Sequence, residues 1–381
     1  MSPLVPSPRR RRLLVGGAGA LLGLALAPAA GAAASTAGAP YGPRPFGPYG
    51  SPSRRLNERT LYVDAQGRGD HVTVQAAVSA TPDLPERGWI LVIAAGTYRE
   101  TVLIPAAKAG LTLVGATARA EDVVIVYDNA SGTPKPTGGT YGTSGSATTT
   151  IQAERFTALH VTFANDWLRA AHPEITATQA VAVKVMGDRS YFERCRFLGH
   201  QDTLYADTLS LDVFARQYYR DCHIEGDVDF VFGRATAVFE RCELRTLPRD
   251  VTFTPYGYVF APSTAVANPH GYLAVRCAIT SGSPDGTYGL ARPWRPSSDL
   301  TAVPMLTVRE TWIGPSVDAT TPYVDMSSGY HWQDARFAEY RNIGPGAAIP
   351  VPENRPQLTR EQAAGQTRAA YLGDWRPFSA V

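Results

Sequence analysis

The chain carries the segment FERCRF at residues 192–197, whose frame is an apolar residue, two variable residues, a cysteine, one variable residue and a second apolar residue. Three later segments repeat that frame: YRDCHI at 219–224, FERCEL at 239–244 and, less perfectly, AVRCAI at 274–279. The cysteines are 27, 20 and 35 residues apart, as expected when strands stack in register while the connecting loops vary in length. A β-sandwich would not repeat one strand frame in this way. The pattern therefore predicts an all-β fold, a right-handed parallel β-helix.

Composition supports a strand-rich fold with a large core. The 381 residues are 44% hydrophobic and 18% charged, and they include 35 Gly and 30 Pro, which favour many turns over long helices. Short β-rich runs follow residue 60, among them 61–63, 89–93, 111–114 and 123–127. Helix signals at 74–79 and 358–364 predict short capping helices at the two ends. This length would suit two or three average domains, but a solenoid of this size is expected to form a single one.

The N-terminal segment has the pattern of an export signal. Four arginines at 9–12 precede an apolar stretch at 13–28 and the small residues at 30–32. The tandem arginines also suit a twin-arginine signal, whereas a signal anchor is the alternative, disfavoured because several glycines dilute the apolar stretch. We expect a secretion signal at 1–34, a Pro/Gly-rich linker at 35–57 with nothing to pack against, and the β-helix domain at 58–381.

The net charge and its distribution limit which molecules the protein is expected to bind. Removing residues 1–34 takes away four arginines and no acidic residue, so the net charge falls from +2 to −2. The remaining chain has no concentrated basic tract, which argues against a nucleic acid as partner. A polyanionic substrate would therefore be held by a few placed cations. We expect a secreted, extracellular monomer that has no membrane contact after signal cleavage.

The four cysteines fit two structural roles. In an exported protein an even number permits disulfides, and stacked inward-facing cysteines also serve as small apolar residues. Neighbouring strands lie about 4.8 Å apart, which is compatible with a disulfide. Cys222 and Cys242 have the shortest spacing and are the candidate pair. A thiol nucleophile would need a nearby base, and the four frames supply none consistently.

Two aspartates occupy equivalent places in the repeat. Asp202 and Asp229 each lie seven residues after a cysteine, so stacked cysteines would stack these carboxylates about 5 Å apart. Like charges at that distance separate their pKa values, which leaves one carboxylate ionised and the other protonated. Gln201 precedes Asp202, and Gln179 lies about one coil upstream; their amides could stabilise an oxyanion. A polar ladder that only caps the sheet is the alternative.

Five further motifs give the chain a family resemblance. They are GTYRE at 96–100, QAVA at 179–182, QDTLY at 201–205, GDVDFVFG at 226–233 and LARPW at 290–294. In this order, and with RFAEY at 336–340 and GPGA at 344–347, the chain resembles the pectin methylesterases of secreted bacterial type over roughly residues 60–374. Two departures stand out: Ala291 replaces the glycine usual in that family, and residues 209–215 look like an insertion that could reshape the groove wall.

The resemblance implies a role for each reacting group. Asp229 would attack the methyl ester carbonyl, and Gln179 and Gln201 would hold the resulting oxyanion. Asp202 would protonate the departing methoxide and then take a proton from the water that hydrolyses the acyl-enzyme. Arg292 would keep Asp229 ionised and oriented, lowering its pKa.

The resemblance also implies how pectin would be held. Trp294 and Tyr205 would offer faces to sugar rings, and Phe232 would line the pocket for the methyl group; core packing is the alternative for each. No cofactor and no metal are implied.

Other functions fit the residues less well. A serine hydrolase would need a G-x-S-x-G elbow, which GTSGS at 142–146 does not complete. A zinc enzyme is disfavoured because the seven histidines are scattered, and His200 is interpreted as a residue that happens to flank the site. A thioesterase of the same fold, a polysaccharide lyase using Asp227 and Asp229 for calcium, and a non-catalytic wall-binding protein are the remaining alternatives.

Overall fold

The computed structural model describes residues 46–377, and all statements on the fold refer to that range. It is built almost entirely of short strands. In chain order these are β1 Thr60–Val63, β2 Ile90–Ile93, β3 Gly96–Arg99, β4 Val102–Ile104, β5 Thr112–Gly115, β6 Val123–Tyr127, β7 Thr149–Ile151, β8 Thr157–Leu159, β9 Thr162–Asn165, β10 Val183–Val185, β11 Ser190–Glu193, β12 Arg196–Leu198, β13 Leu204–Ala206, β14 Arg216–Arg220, β15 His223–Gly226, β16 Val231–Gly233, β17 Thr236–Glu240, β18 Glu243–Thr246, β19 Gly257–Pro262, β20 Tyr272–Val275, β21 Ala278–Ser281, β22 Tyr288–Ala291, β23 Met305–Arg309, β24 Trp312–Ile313 and β25 Arg336–Tyr340.

Helices are few and short within the same residues. The α-helices are α1 Val74–Ala80, α2 Gly142–Gly145, α3 Arg360–Ala364 and α4 Arg368–Leu372. Single 3₁₀ turns lie at Gly47–Tyr49, Ala106–Lys108, Ala120–Asp122, Arg169–Ala171, Trp332–Asp334, Pro345–Ala347 and Pro352–Asn354. No helix in residues 46–377 combines the length and the apolar character needed to cross a membrane.

The strands form three parallel sheets that wind around one core. Within residues 46–377 the sheets have ten, seven and eight strands, in the orders β1-β2-β5-β8-β11-β14-β17-β20-β23-β25, β22-β19-β16-β13-β10-β7-β4 and β24-β21-β18-β15-β12-β9-β6-β3. Each coil gives one strand to each sheet, as in β11, β12 and β13, and the next coil pairs with it in parallel. The predicted parallel β-helix is confirmed, and the strands predicted from runs after residue 60 are present as β1, β2, β5 and β6.

Each repeated frame is a corner of the solenoid. The residue before each cysteine has a left-handed backbone: Arg194, Asp221, Arg241 and Arg276 have φ values of 49°, 53°, 54° and 54°. Such a φ is costly for a side-chain-bearing residue, by roughly 1–2 kcal/mol. In return it turns the chain from the ten-stranded into the eight-stranded sheet within two residues. The N–H of each of these residues still donates to the next coil, for example from Arg194 to the Arg220 carbonyl at 3.0 Å.

The predicted Cys222–Cys242 disulfide is wrong, because all four cysteines are buried and free. Each thiol points at a backbone carbonyl of the preceding coil. Cys222 Sγ donates to the Phe192 carbonyl at 3.6 Å, and Cys242 Sγ to the Tyr219 carbonyl at 3.4 Å. The cysteine side chains therefore act as small buried groups whose thiols donate to backbone carbonyls at the corner. This agrees with the alternative role, that of small apolar residues.

The apolar residue that opens each frame builds the core. Phe192, Tyr219 and Phe239 stack on successive coils with ring centroids 4.9 Å apart and planes within 6° and 12° of parallel. That distance equals the spacing of paired strands, so the sheet itself sets the stacking. Burying each such ring is worth roughly 2–3 kcal/mol. One strand frame, repeated, thereby yields a continuous interior.

The ends of the described chain only partly match the predicted boundaries. Helix α1 begins after Thr73, whose side chain accepts from the Ala76 N–H, and it packs at the first coil as predicted. The predicted secretion signal at 1–34 and part of the linker at 35–57 lie outside the described residues. Residues 46–57 do pack: the Phe46 ring lies 5.0 Å from that of Tyr62 and is buried.

Of the two C-terminal helices, α4 packs on the outside of a sheet and does not cap the end of the solenoid. Helix α3 carries the expected capping box between Thr359 and Gln362. Helix α4 lies on the outer face of the ten-stranded sheet, where Tyr371 and Leu372 pack with Tyr218 and Leu273. The sequence signal for a helix was correct, but an outward apolar row on the sheet determines where the chain end lies.

Candidate active site

The outer face of the seven-stranded sheet carries the floor of the site. Along β13 and β16, Leu204 and Val231 point into the core, so Tyr205 and Phe232 point outwards. Ala261 of β19 pairs with Phe232 in register, and together these side chains form an outward apolar cluster. The period-2 alternation of the strands thus places aromatic rings on the outside of the solenoid.

Asp202 and Asp229 occupy equivalent positions at the start of this floor. Each lies two residues before a strand, and Leu204 pairs with Val231 in register. Both aspartates have left-handed backbones, with φ values of 66° and 52°. The tight turn brings each carboxylate to the rim of the sheet while keeping it 7% and 8% exposed. The seven-residue offset from the cysteines is therefore translated into two adjacent buried carboxylates.

Burial and mutual repulsion separate the two carboxylates electrostatically. Burial, together with the charge of Asp229, raises the pKa of Asp202 well above its ordinary value. Burial also raises the pKa of Asp229, while its hydrogen bonds with Arg292 oppose that rise. The expected net lowering of the Asp229 pKa is not found, because desolvation outweighs the guanidinium. The two groups differ in their surroundings: Asp229 is the carboxylate that has a cationic partner, and Asp202 is the one whose pKa is raised further.

Arg292 reaches Asp229 from a different part of the chain. Its Nε and one terminal nitrogen donate to the two carboxylate oxygens at 2.8 and 2.5 Å, which is a bidentate pair. The guanidinium lies 4.3 Å from the centroid of the Tyr258 ring, so a cation–π contact also holds the Arg292 side chain in place. Ala291, the departure from the family pattern, is buried in the core cluster and does not prevent this contact.

The expected residues converge on one cavity of about 250 Å³. It is lined by Thr143, Gln179, Gln201, Asp202, Asp229, Phe232, Ala261, Arg292, Trp294 and Met326. Tyr205 does not line it. Its ring lies 4.2 Å from that of Phe232 and is buried, so Tyr205 supports the floor and has no face available for a sugar. Trp294 is half-buried at the edge of the cluster, 5.5 Å from Phe232.

Thr143, Ala261 and Met326 were not expected in the cavity. Thr143 belongs to helix α2, in the segment considered for a serine elbow, and Ala261 follows from the strand register. Met326 comes from a loop beyond β24 and carries no motif. Contacts of this kind depend on how long loops fold over the sheet, which strand periodicity does not encode.

The two glutamines differ in their surroundings. Gln201 Oε1 accepts a hydrogen bond from Thr178 Oγ1 at 2.6 Å. Its Nε2 is therefore the amide atom available to the cavity. Gln179 Oε1 is buried without a hydrogen-bond partner among residues 46–377. No hydrogen bond to this oxygen therefore fixes the orientation of the Gln179 amide.

A third buried carboxylate, considered from the sequence only as a calcium ligand of a lyase, lies beside the site. Asp227 forms a bidentate pair with Arg169, at 2.5 and 2.9 Å, and lies 3.4 Å from His200 Nδ1. Burial alone would raise the pKa of Asp227, but Arg169 and His200 hold it well below its usual range. His200 thus faces Asp227, consistent with its interpretation as a flanking residue. The residues that the structure describes contain no group of three or more His, Cys, Asp or Glu side chains that could hold a metal ion.

Residues 209–215, the expected insertion, lie between β13 and β14 and expose apolar side chains. Leu209, Leu211, Val213 and Phe214 are between 37% and 44% exposed. None of them lines the cavity described above. The expected reshaping of the groove wall is therefore not visible at the reacting groups.

Comparison with known proteins assigns this arrangement to a family. The pectinesterase family model matches residues 60–379, almost the whole β-helix. The chain belongs to the pectinesterase family. Pectinesterase A of Dickeya chrysanthemi is 34% identical over 333 residues, covering 80% of this chain and 87% of that protein. A pectinesterase of Ralstonia solanacearum is 31% identical over 314 residues, covering 75% and 79%.

Solved structures of pectinesterases have the same fold. Pectin methylesterase PemA from Erwinia chrysanthemi superposes with a TM-score of 0.74 at 30% identity, covering 84% of this chain and 98% of that one. A pectin methylesterase in complex with a hexasaccharide gives a TM-score of 0.73 at 30% identity, covering 83% and 97%. The family resemblance and the right-handed parallel β-helix are confirmed, and the protein is a carboxylic ester hydrolase.

Proposed function

We propose that the cavity hydrolyses methyl esters of homogalacturonan, the polyuronic chain of pectin, with Asp229 as nucleophile and Asp202 as acid and base. Membership of the pectinesterase family supports the reaction, and the roles rest on one observation. A carboxylate held by a bidentate arginine lies one coil away from a second buried carboxylate whose pKa is raised. Two carboxyl groups with unequal pKa values are what acid and nucleophile require at the same pH.

The first half-reaction forms an acyl-enzyme. A carboxylate oxygen of Asp229 attacks the ester carbonyl carbon, and the carbonyl electron pair moves to the oxygen. Gln201 Nε2 and the amide of Gln179 donate to that oxyanion. As the tetrahedral intermediate collapses, the bond to methoxide breaks and Asp202 delivers its proton, so methanol leaves and an anhydride joins Asp229 to the uronate.

The second half-reaction reverses the role of Asp202. Now ionised, Asp202 takes a proton from a water molecule that attacks the substrate carbonyl of the anhydride. Collapse of this second tetrahedral intermediate frees Asp229 as a carboxylate and releases the galacturonate product. Arg292 holds Asp229 in one orientation throughout, which is worth most when the nucleophile is regenerated in every turnover.

The binding surface suits a sugar chain that carries an ester. Trp294 is half-buried and presents part of its ring beside Phe232, which lines the cavity where the methyl group would lie. The solved pectin methylesterase in complex with a hexasaccharide supports an oligosaccharide as the ligand. We further propose export by the N-terminal signal, action outside the cell and a monomeric enzyme.

Methanol release from methyl-esterified homogalacturonan tests the reaction. The purified protein should release methanol with no rise in unsaturated product, which would be detected by its ultraviolet absorbance. A chelator should not reduce the rate of methanol release. A lyase would give unsaturated product, a thioesterase would act faster on a thioester analogue, and a wall-binding protein would sediment with pectin without releasing methanol. Full loss of activity on chelation, restored by calcium, would exclude the two-aspartate mechanism.

A further inference from the structure

Residues 166–179, here called the Trp167 loop, form most of the connection from β9 to β10 and end at Gln179. The loop has a small core of its own. Trp167 is buried and packs with Ala130, Ala180 and Ile175, and its ring stacks on that of His172 at 5.6 Å. This loop is therefore a fixed element beside the cavity.

One side of the Trp167 loop is fastened to the turn that carries the nucleophile. Arg169 donates to both oxygens of Asp227, which lies two residues before Asp229 and whose side chain is 1% exposed. Asp227 also accepts from the Val228 N–H at 2.6 Å and lies near His200 and Arg249. Removing one partner of such a buried pair leaves an uncompensated charge, so the contact holds the loop and the turn together.

The other side of the loop ends on an oxyanion donor. The Thr178 hydroxyl donates to Gln201 Oε1 at 2.6 Å, and the Ala180 N–H donates to the Gln201 carbonyl at 3.1 Å. Because an amide presents an oxygen and a nitrogen of similar shape, a contact with one atom decides which of the two faces the cavity. Here the oxygen is occupied, so the N–H₂ group faces the ester.

We propose that the Trp167 loop is a positioning element for Gln201, in which the Arg169–Asp227 pair anchors the loop and Thr178 selects the amide orientation that donates to the oxyanion. The inference rests on the proposed function. Thr178 is not among the residues that line the cavity, and it acts through Gln201. With the amide reversed, its oxygen would face the developing negative charge and raise the barrier.

Thr178→Val tests this role because it removes the hydroxyl and keeps the shape. We expect kcat for methanol release to fall about tenfold to a hundredfold, below the ~10²–10³ loss of a whole donor, with KM changed less than about twofold. Thr178→Ser keeps the hydroxyl and should restore kcat to within about threefold of the wild type. A purely structural role would not follow the hydroxyl in this way.

Coupling to Gln201 distinguishes positioning from general damage. In a Gln201→Ala background, Thr178→Val should have no further effect on kcat, because its target is already absent. Arg169→Met should lower kcat in the wild-type background and much less in the Gln201→Ala background. Arg241→Met is the control for loss of a bidentate arginine–aspartate pair outside the cavity. Arg241 contacts Asp221 at 2.8 and 2.9 Å, in a more exposed pair at a corner between the other two sheets. Arg241→Met should keep the wild-type kcat.

A measurement that does not depend on catalysis distinguishes the positioning role of Thr178 from the proposed function. In protein labelled with ¹⁵N-glutamine, the side-chain amide signal of Gln201, assigned by its loss in Gln201→Ala, should move or broaden in Thr178→Val and persist in Thr178→Ser. An unchanged signal in Thr178→Val, or additive kcat losses with Gln201→Ala, would overturn the positioning role. Absence of methanol release by the wild type would instead overturn the proposed function, whatever the amide signal shows.

Discussion

Asp202 and Asp229 are the same structural position on two successive coils: each has a left-handed backbone, and each lies two residues before strands that pair in register. Their difference comes from what surrounds them. Arg292 contacts Asp229, while no charged side chain within residues 46–377 forms a hydrogen bond or ion pair with Asp202. One repeated turn therefore supplies two chemically different carboxyl groups.

This difference predicts unequal losses on substitution. Asp229→Asn removes the nucleophile, so methanol release should fall to the detection limit. Asp202→Asn keeps the nucleophile and loses the proton donor, which is typically worth ~10²–10⁴-fold in rate. The measurement is kcat on esterified pectin, with circular dichroism to verify the fold. Near wild-type activity in Asp229→Asn would mean that another residue attacks the ester.

Arg292→Lys should retain the fold and lose kcat. Lysine supplies the charge but cannot donate to both carboxylate oxygens in one plane, so the nucleophile is no longer oriented. A misplaced nucleophile can cost on the order of 10²-fold. Steady-state kinetics distinguish this role from substrate binding: an unchanged kcat with a raised KM would show that Arg292 binds a uronate carboxylate instead.

The raised pKa of Asp202 predicts both a pH profile and a gain in stability on its removal. Activity should be bell-shaped, falling in acid as Asp229 takes up a proton and falling in alkali as Asp202 loses one. A carboxyl whose folded pKa lies above its ordinary value stabilises the fold less as pH rises from about 3.8 through that folded pKa. Asp202→Asn should therefore unfold at a higher temperature than the wild type at neutral pH, with little difference near pH 3. A lower midpoint at neutral pH would contradict this.

The C-terminal part of the solenoid depends on a buried ion pair. Arg355 contacts both oxygens of Glu339 at 2.9 and 2.7 Å, and the two side chains are 0% and 2% exposed. Arg355→Met leaves the buried Glu339 carboxylate without its cation and should lower the free energy of unfolding by ~3–5 kcal/mol, measured by urea denaturation. Arg241→Met, at an exposed pair, should cost at most ~1 kcal/mol. Equal losses in the two variants would show that burial does not matter here.

The buried thiols give a simple chemical test. All four cysteines should resist alkylation in the native protein and react together once it is unfolded, adding four labels by mass spectrometry without prior reduction. Two labels without reduction and four after it would restore the disulfide that the structure excludes.

The sequence revealed those parts of the molecule that repeat or carry a motif. The frame around Cys195 and Cys222 predicted the coils, and the seven-residue offset placed Asp202 beside Asp229. Parity along β13 places Tyr205 on the outer face of the sheet, but it does not show that the Tyr205 ring stacks on Phe232 and does not line the cavity. The Arg169–Asp227 pair was out of reach, because 58 residues separate the partners and a loop without periodicity joins one to the fold.

The corners of the solenoid explain how such an enzyme can diversify. A left-handed residue before each cysteine fixes one corner of the four coils that carry a cysteine, while the other connections differ in length, as the cysteine spacings of 27, 20 and 35 residues show. Segments such as 209–215 can therefore vary in length between coils while the carboxylates keep the separation that strand pairing dictates. The length of these connections can therefore change without moving the two carboxylates.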